Sequence, residues 1–268
     1  MTPIIELANI SYTYPDSQHP VFADISVELP AGVTAFVGQN GTGKSTLLLL
    51  AAARLFPDAG TVTILGRDSR SLEDEEERNQ CVSFIYQNME FETEESIGTL
   101  MEFIYDSGFH EMKNAGFIGE LAEVLELGEY MDQQLQVLSK GAMQRAILCF
   151  SLLYGSKIIM MDEPIFALED YQKQRAMDFM STYAREQDVH LLYSIHETEL
   201  SEKYSDSVFL FYKNGLIKYG PTEEIMTTQA LEQAYEFPRA MLHQREHLYR
   251  ENLIRLSDIK PSGKLGTN

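Results

Sequence analysis

The chain has 268 residues, 44% of them hydrophobic and 23% charged, a composition typical of one large globular domain. Its formal net charge of −20 argues against a nucleic-acid-binding surface and against direct adhesion to anionic lipid. No stretch of about 18 apolar residues occurs, and the N-terminus has no signal-peptide pattern, so direct membrane insertion is not expected. Its two cysteines, Cys81 and Cys149, fit a reducing compartment, and we expect a cytoplasmic protein.

Strand-forming segments alternate with turn residues in the N-terminal part of the chain. We predict strands over residues 4–10, 21–29 and 61–66, which together form an antiparallel layer beside the rest of the fold. A further apolar run over 34–37 predicts a buried strand. This strand leads directly into a glycine-rich segment.

Residues 38–46 read GQNGTGKST, and the apolar run that follows them predicts a helix. Strand, glycine-rich turn and helix with the spacing G-x-x-x-x-G-K-S form a P-loop, whose backbone N–H groups turn inward around phosphate oxygens. Lys44 can reach the β- and γ-phosphates, and the Ser45 hydroxyl can ligate Mg²⁺. The segment therefore predicts a nucleotide site. Its predicted contact residues are Gly38, Asn40, Gly41, Thr42, Gly43, Lys44, Ser45 and Thr46.

The middle of the chain changes from a strand pattern to a helical one. An apolar run over 81–86 predicts a strand that ends at Gln87, whereas apolar residues recur at helical spacing beyond it. We expect a helical subdomain over about 89–155, inserted between two strands of the core, with one of its helices over 143–153. The acidic stretch 73–77 is expected on solvated faces and loops.

Two further buried strands, predicted over 157–161 and 190–195, end in polar residues. Asp162 follows the first of them, where a carboxylate can hold the Mg²⁺ that bridges the nucleotide phosphates. Glu163 is a candidate to polarise the attacking water. His196 follows the second strand and would approach the γ-phosphate.

The remaining elements complete an α/β fold. We predict a helix over 171–184, a hairpin over 207–219, and a charged helical extension with a polar tail over 226–268. Strands that alternate with helices around a P-loop indicate a mostly parallel sheet with nucleotide at its carboxyl edge. The predicted fold is a P-loop NTPase core with a mostly parallel sheet, an N-terminal antiparallel β subdomain and an inserted helical subdomain.

Residues 138–145, LSKGAMQR, resemble the signature motif of the nucleotide-binding subunits of ATP-binding cassette (ABC) transporters. The motif lies between the P-loop and the Asp-Glu strand end, as it does in that family. Gln87 matches the family's Q-loop glutamine and His196 its switch histidine. Tyr14 matches the aromatic residue that stacks on adenine, with Tyr12 as the alternative.

The resemblance implies an ATPase domain over residues 1–225 that hydrolyses ATP with Mg²⁺. It also implies a head-to-tail pair of subunits, a homodimer or a heterodimer, in which Ser139 and Gly141 of one subunit contact the γ-phosphate held by the other. The expected partners are transmembrane permease subunits, which would hold the protein at the inner face of the cell membrane. Catalytic roles are implied for Glu163, His196, Lys44 and Gln87, and metal ligation for Ser45, Gln87 and Asp162.

The chain departs from the family pattern at three positions. Lys140 stands where the first signature glycine is usual, Ala142 where the glutamine is usual, and Glu169 where the D-loop segment 166–169 usually ends in aspartate. Glu163 is retained, so we expect a competent hydrolytic site. Two alternatives stay open: a soluble ABC ATPase of a non-transport complex such as iron–sulfur cluster assembly, and a binding-only protein that the three departures inactivate.

Overall fold

The computed structural model describes residues 3–86, 89, 93–239 and 241, and these residues form two β-sheets with helices packed around them. The strands of this part of the chain are β1 (Ile5–Tyr12), β2 (Phe22–Leu29), β3 (Val33–Gly38), β4 (Ala59–Ile64), β5 (Arg67–Asp68), β6 (Val82–Ile85), β7 (Ile158–Asp162), β8 (His190–Ser194), β9 (Ser207–Phe211) and β10 (Ile217–Pro221). Its α-helices are α1 (Lys44–Ala51), α2 (Glu75–Cys81), α3 (Ile97–Ser107), α4 (Phe117–Val124), α5 (Lys140–Tyr154), α6 (Asp170–Glu186), α7 (Thr198–Tyr204), α8 (Thr222–Ile225) and α9 (Thr228–Tyr235).

The larger sheet has six strands in the order β10-β9-β3-β8-β7-β6. All neighbouring pairs are parallel except the β9–β10 hairpin, which is antiparallel. Every residue of β3 is buried, as expected for a parallel strand covered on both faces, and this explains its unbroken apolar sequence. The prediction of a mostly parallel sheet is confirmed.

The smaller sheet is antiparallel, with the order β2-β1-β4-β5, and it confirms the predicted N-terminal layer. Along β1 the buried residues Ile5, Leu7 and Ile10 form one core cluster with Leu47 and Leu48 of α1. Helix α1 therefore packs against this sheet, and the glycine-rich loop joins its N-terminus to β3. That packing fixes where the glycine-rich loop lies.

Helices α3, α4 and α5 lie in the chain between β6 and β7, which pair as neighbours in the sheet. Their buried residues Met101, Leu121 and Leu148 belong to the same core cluster as Ile159 of β7. The helical character of this stretch agrees with its sequence pattern, while the boundaries 89–155 stay a prediction. No helix of the described residues is long and apolar enough to cross a lipid bilayer.

Four helices differ from the sequence-based expectation. Residues 75–77 of the acidic stretch are solvated as expected, but they form the first turn of α2, which Asp74 caps by accepting from the Glu77 N–H and which continues to Cys81. Strand β6 consequently begins only at Val82. Helices α7 and α8 have no counterpart in the prediction, and α5 begins at Lys140 rather than at residue 143.

The C-terminal extension is described only in part. Helices α8 and α9 follow the β9–β10 hairpin, and α9 ends at Tyr235. The predicted polar tail, and everything beyond Met241, lies outside the described residues.

Candidate nucleotide-binding site

The glycine-rich loop joins β3 to α1, and two of its glycines are required by close packing. Gly38 has φ 150°, and a Cβ there would lie 2.7 Å from the carbonyl oxygen of Phe211. Gly43 has φ 98°, and a Cβ there would lie 2.9 Å from the ring of Phe22. Such short contacts and a positive φ are accessible only to glycine. The loop can therefore expose its backbone towards a ligand.

Lys44 begins α1 and is only 6% exposed. Its ammonium donates to the carbonyl oxygens of Gly38 at 2.9 Å and Gln39 at 3.0 Å. Burial lowers the pKa of Lys44 to about 8, against the opposing effect of the Glu163 and Asp162 charges. The ammonium donates to neutral carbonyl oxygens, and it could exchange these hydrogen bonds for stronger ones to an anion.

A cavity of about 210 Å³ opens beside the loop. It brings together six of the predicted contact residues with Glu163, which is more than a hundred positions further along the chain. Gly38 and Thr42 support the loop from outside this lining, and the Thr42 hydroxyl donates to the Gln39 carbonyl at 2.8 Å. The lining consists of Asn40, Gly41, Gly43, Lys44, Ser45, Thr46 and Glu163.

Asp162 and Glu163 lie at the carboxyl end of β7, beside the end of β8. The Ser194 hydroxyl, fully buried at the end of β8, donates to the Asp162 carboxylate and accepts from the Glu163 N–H at 3.0 Å. Glu163 has φ 51°, a left-handed conformation that is uncommon for a non-glycine residue. Ser194 thus links both acidic residues, although the sequence analysis did not identify it.

Glu163 also contacts His196. The His196 Nε2 lies 2.6 Å from Glu163 Oε1, and the side chains are 15% and 10% exposed. The imidazole is therefore placed to orient this carboxylate at the cavity wall. The structure brings together the P-loop, Asp162, Glu163 and His196 at the carboxyl edge of the parallel sheet.

The two candidate aromatic residues differ in exposure. Tyr14 is 37% exposed and its hydroxyl lies 3.1 Å from the Thr46 hydroxyl, whereas Tyr12 is 6% exposed and belongs to the core. Their rings meet edge to face at 5.1 Å. Tyr14 is therefore the one with surface available beside the loop.

The signature residues lie apart from the cavity lining of the same chain. Ser139 caps α5 by accepting from the Ala142 N–H at 3.3 Å, which explains why the helix begins earlier than predicted. A Cβ on Gly141 would lie 3.2 Å from the Ala167 carbonyl, so the start of α5 packs closely on segment 166–169. Gln87, the remaining predicted residue, lies outside the described residues.

Glu169 takes the N-cap position of α6. Its N–H donates to the Gln172 side chain at 3.3 Å, in a reciprocal arrangement typical of a capping box. Glu169, which stands where the family usually has aspartate, therefore stabilises the start of α6.

Comparison with known proteins agrees with this geometry. The sequence model of the ABC transporter family matches residues 22–166, more than half of the chain. The petrobactin import ATP-binding protein YclP of Bacillus subtilis is 27% identical over 237 residues, covering 87% of this chain and 93% of YclP. The phosphonates import ATP-binding protein PhnC of Treponema denticola is 25% identical over 240 residues, covering 85% of this chain and 93% of PhnC.

Solved structures are similar in fold. An ATP-binding subunit of an ABC transporter has a TM-score of 0.73 at 18% identity, covering 91% of this chain and 99% of that chain. The dimeric bacterial cassette MJ0796 has a TM-score of 0.70 at 19% identity, covering 81% and 98%. The chain belongs to the ABC transporter family, as one of its ATP-binding subunits.

Proposed function

We propose that the protein binds and hydrolyses MgATP between two copies of itself and thereby drives separate permease subunits. The observation that carries this proposal is a cavity that is lined both by the P-loop and by Glu163. The cavity brings the buried Glu163 carboxylate next to the loop that would hold the phosphates, and ATP hydrolysis requires both. Tyr14, exposed beside the loop, would stack on the adenine.

The residues present fit a magnesium nucleotide. The loop glycines leave the backbone open, and the buried Lys44 ammonium, whose pKa is lowered by desolvation, would donate charge-assisted hydrogen bonds to phosphate oxygens. Ser45, Asp162 and Gln87 would supply oxygen ligands to Mg²⁺, which neutralises phosphate charge when bound. Asp162 is oriented for this by Ser194.

The attacking water would transfer a proton to Glu163 while the water oxygen forms a bond to the γ-phosphorus. The bond between the γ-phosphorus and its bridging oxygen breaks, and ADP and phosphate leave. His196 would hold the Glu163 carboxylate, to which it lies at 2.6 Å, in position for this step and approach the γ-phosphate. Lys44 and Gln87 would stabilise the transferring group.

Ser139 and Gly141 would complete the site of the second copy, because both lie outside the lining of their own cavity. The dimeric form of the MJ0796 cassette supports this arrangement. Residues 1–225 would form the ATPase domain, with 89–155 as its helical subdomain and 226–268 as an extension. Names of relatives such as YclP favour work on membrane permeases over an assembly factor for iron–sulfur clusters.

Replacing the carboxylate tests the hydrolytic assignment. We expect Glu163→Gln to lower the ATP turnover number by about a thousandfold, since general base catalysis contributes on the order of 10²–10⁴-fold. ATP affinity, measured by calorimetry, should change little, because Lys44 and the loop are intact. Turnover at the parental rate would remove Glu163 from the proposed role.

A further inference from the structure

One loop residue reaches the C-terminal extension. The Gln39 side-chain amide donates to the carbonyl oxygens of Ala234 at 3.0 Å and Tyr235 at 2.8 Å. These carbonyls end α9, where the last four of a helix have no partner within it. Glu236, at φ 62°, then turns the chain out of the helix. Gln39 therefore caps α9 from nearly two hundred residues away in sequence.

The same residue supports the loop through its backbone. The Gln39 carbonyl accepts from the Lys44 ammonium at 3.0 Å and from the Thr42 hydroxyl at 2.8 Å. Its backbone thus belongs to the phosphate cradle, while its side chain belongs to the cap of α9. Gln39 therefore connects the P-loop to the C-terminal end of α9.

Helix α9 is itself held firmly. Leu231 and Tyr235 are buried in the main core, and the Thr227 hydroxyl caps the first turn by accepting from the Ala230 N–H at 3.2 Å. Beyond the helix, Arg239 pairs with both carboxylate oxygens of Glu202 at 2.6 and 2.7 Å. Gln39 is therefore tied to a fixed element.

We propose that Gln39 is a positioning residue that couples the packing of α9 to nucleotide occupancy of the P-loop. The inference rests on the nucleotide binding of the proposed function and is independent of hydrolysis. When the Lys44 ammonium donates to phosphate oxygens instead, the Gln39 carbonyl loses one hydrogen-bond donor. The side-chain hydrogen bonds to α9 then hold the Gln39 peptide in place. Because coupling of two equilibria is reciprocal, bound nucleotide must stabilise the docked α9 to the same extent.

The test measures ATP affinity and amide hydrogen exchange on the full chain. Gln39→Leu keeps the side-chain bulk and removes both donors, so we expect the Kd for MgATP to rise roughly 3- to 10-fold, as loss of ordinary hydrogen bonds predicts. In the parent, MgATP should slow the exchange of α9 amides; in Gln39→Leu it should not. Gln133→Leu is the matched control, since the Gln133 amide also donates to a main-chain carbonyl, that of Glu129, away from the loop.

A second variant approaches the coupling from the opposite end of α9. Thr227→Ala removes the N-cap, whose hydrogen bond goes to Ala230 within α9, and we expect it to raise the Kd for MgATP as well. Parental affinity in both variants, or α9 exchange unaffected by MgATP in the parent, overturns the coupling while leaving the proposed function intact. Failure of the parent to bind MgATP overturns both.

Discussion

The Ser194 hydroxyl determines the geometry of the acidic pair Asp162 and Glu163. Its hydroxyl accepts from the Glu163 N–H and donates to Asp162, so it fixes the turn that follows β7. Loss of that bond would take a hydrogen-bond partner from the buried Glu163 N–H, at a residue whose φ of 51° already carries strain. Ser194 therefore positions the acidic pair although it does not line the cavity itself.

Ser194→Ala should lower turnover about 10- to 100-fold, the usual effect of removing a group that orients a metal ligand. We expect the effect in kcat with ATP affinity nearly unchanged, which steady-state kinetics and calorimetry separate. Ser151→Ala is the control, because Ser151 is also buried but bonds only within α5, to the Leu148 carbonyl. A parental kcat in Ser194→Ala would contradict the assignment.

The lowered pKa of Lys44, about 8 against an ordinary 10.5, predicts two pH effects. Between these values the unfolded chain binds a proton that the folded chain has lost, so this group makes the free energy of unfolding rise with pH. Nucleotide binding needs the charged form, so ATP affinity should fall as pH rises above about 8 and binding should take up a proton.

Calorimetry at pH 8.5 in buffers of different ionisation enthalpy measures that proton uptake. Lys44→Arg is the control, since its guanidinium stays protonated and no uptake is expected. Constant affinity between pH 7 and pH 9, without proton uptake, would refute the role given to the buried ammonium.

The motif residues of the site could be predicted because their chemistry depends on local spacing. Residues 38–46 and the Asp162-Glu163 pair fall at predicted strand ends, and strand order then brings them together. Ser194 and Gln39 could not be assigned in this way. Their partners are set by the register of β7 with β8 and by the docking of α9, and neither leaves a periodic pattern in the sequence.

At the scale of helices, Glu126 joins three elements. Glu126 follows α4 in the chain, and its carboxylate accepts a hydrogen bond from Arg145 of α5 at 3.3 Å. It also accepts from Gln172 and Tyr171 of α6, at 2.8 and 3.1 Å. The hydrogen bond from Gln172 is the first cause of a lowered pKa of Glu126, reinforced by Tyr171 and the Arg145 charge. Glu126 thus ties the helix that carries the signature to the helix that follows the D-loop.

Glu126→Ala should lower the free energy of unfolding by about 2 kcal/mol, because it leaves the buried Arg145 without this partner. Since the folded pKa is lowered, the stabilisation is present above the ordinary pKa of 4.5 and is lost as pH falls through the folded value. Urea denaturation at pH 7 and pH 3 measures the difference, with the exposed Glu129→Ala as control. Equal free energies of unfolding for Glu126→Ala and Glu129→Ala at pH 7 would contradict the role of Glu126 in joining the helices.

Elements with a clear apolar pattern were predicted well, whereas polar ones were not. β3 and β7 are buried along their apolar length and could be recognised from composition. Helices α2 and α7 are short and polar, and α2 has no buried residue at all. Helix α2 is stabilised by its own cap, Asp74, and by the glutamates of its first turn, and neither feature produces the apolar pattern on which the prediction of helices relied.

We propose that the whole molecule shares its nucleotide site with a second copy. The cavity of one chain is lined by the P-loop and Glu163, while Ser139 and Gly141 lie outside that lining. Bound ATP would then connect the copies, and its hydrolysis would release them. At a net charge of −20, like-charge repulsion should favour separation when nucleotide is absent.

Light scattering on Glu163→Gln with and without MgATP measures whether two copies share the site. We predict a dimer of twice the 30.5 kDa chain mass with MgATP, and a monomer both without nucleotide and with ADP. Adding Lys44→Ala to Glu163→Gln should abolish the dimer, because the phosphates lose their buried partner. A Glu163→Gln protein that binds ATP at saturation yet stays monomeric would contradict the shared site.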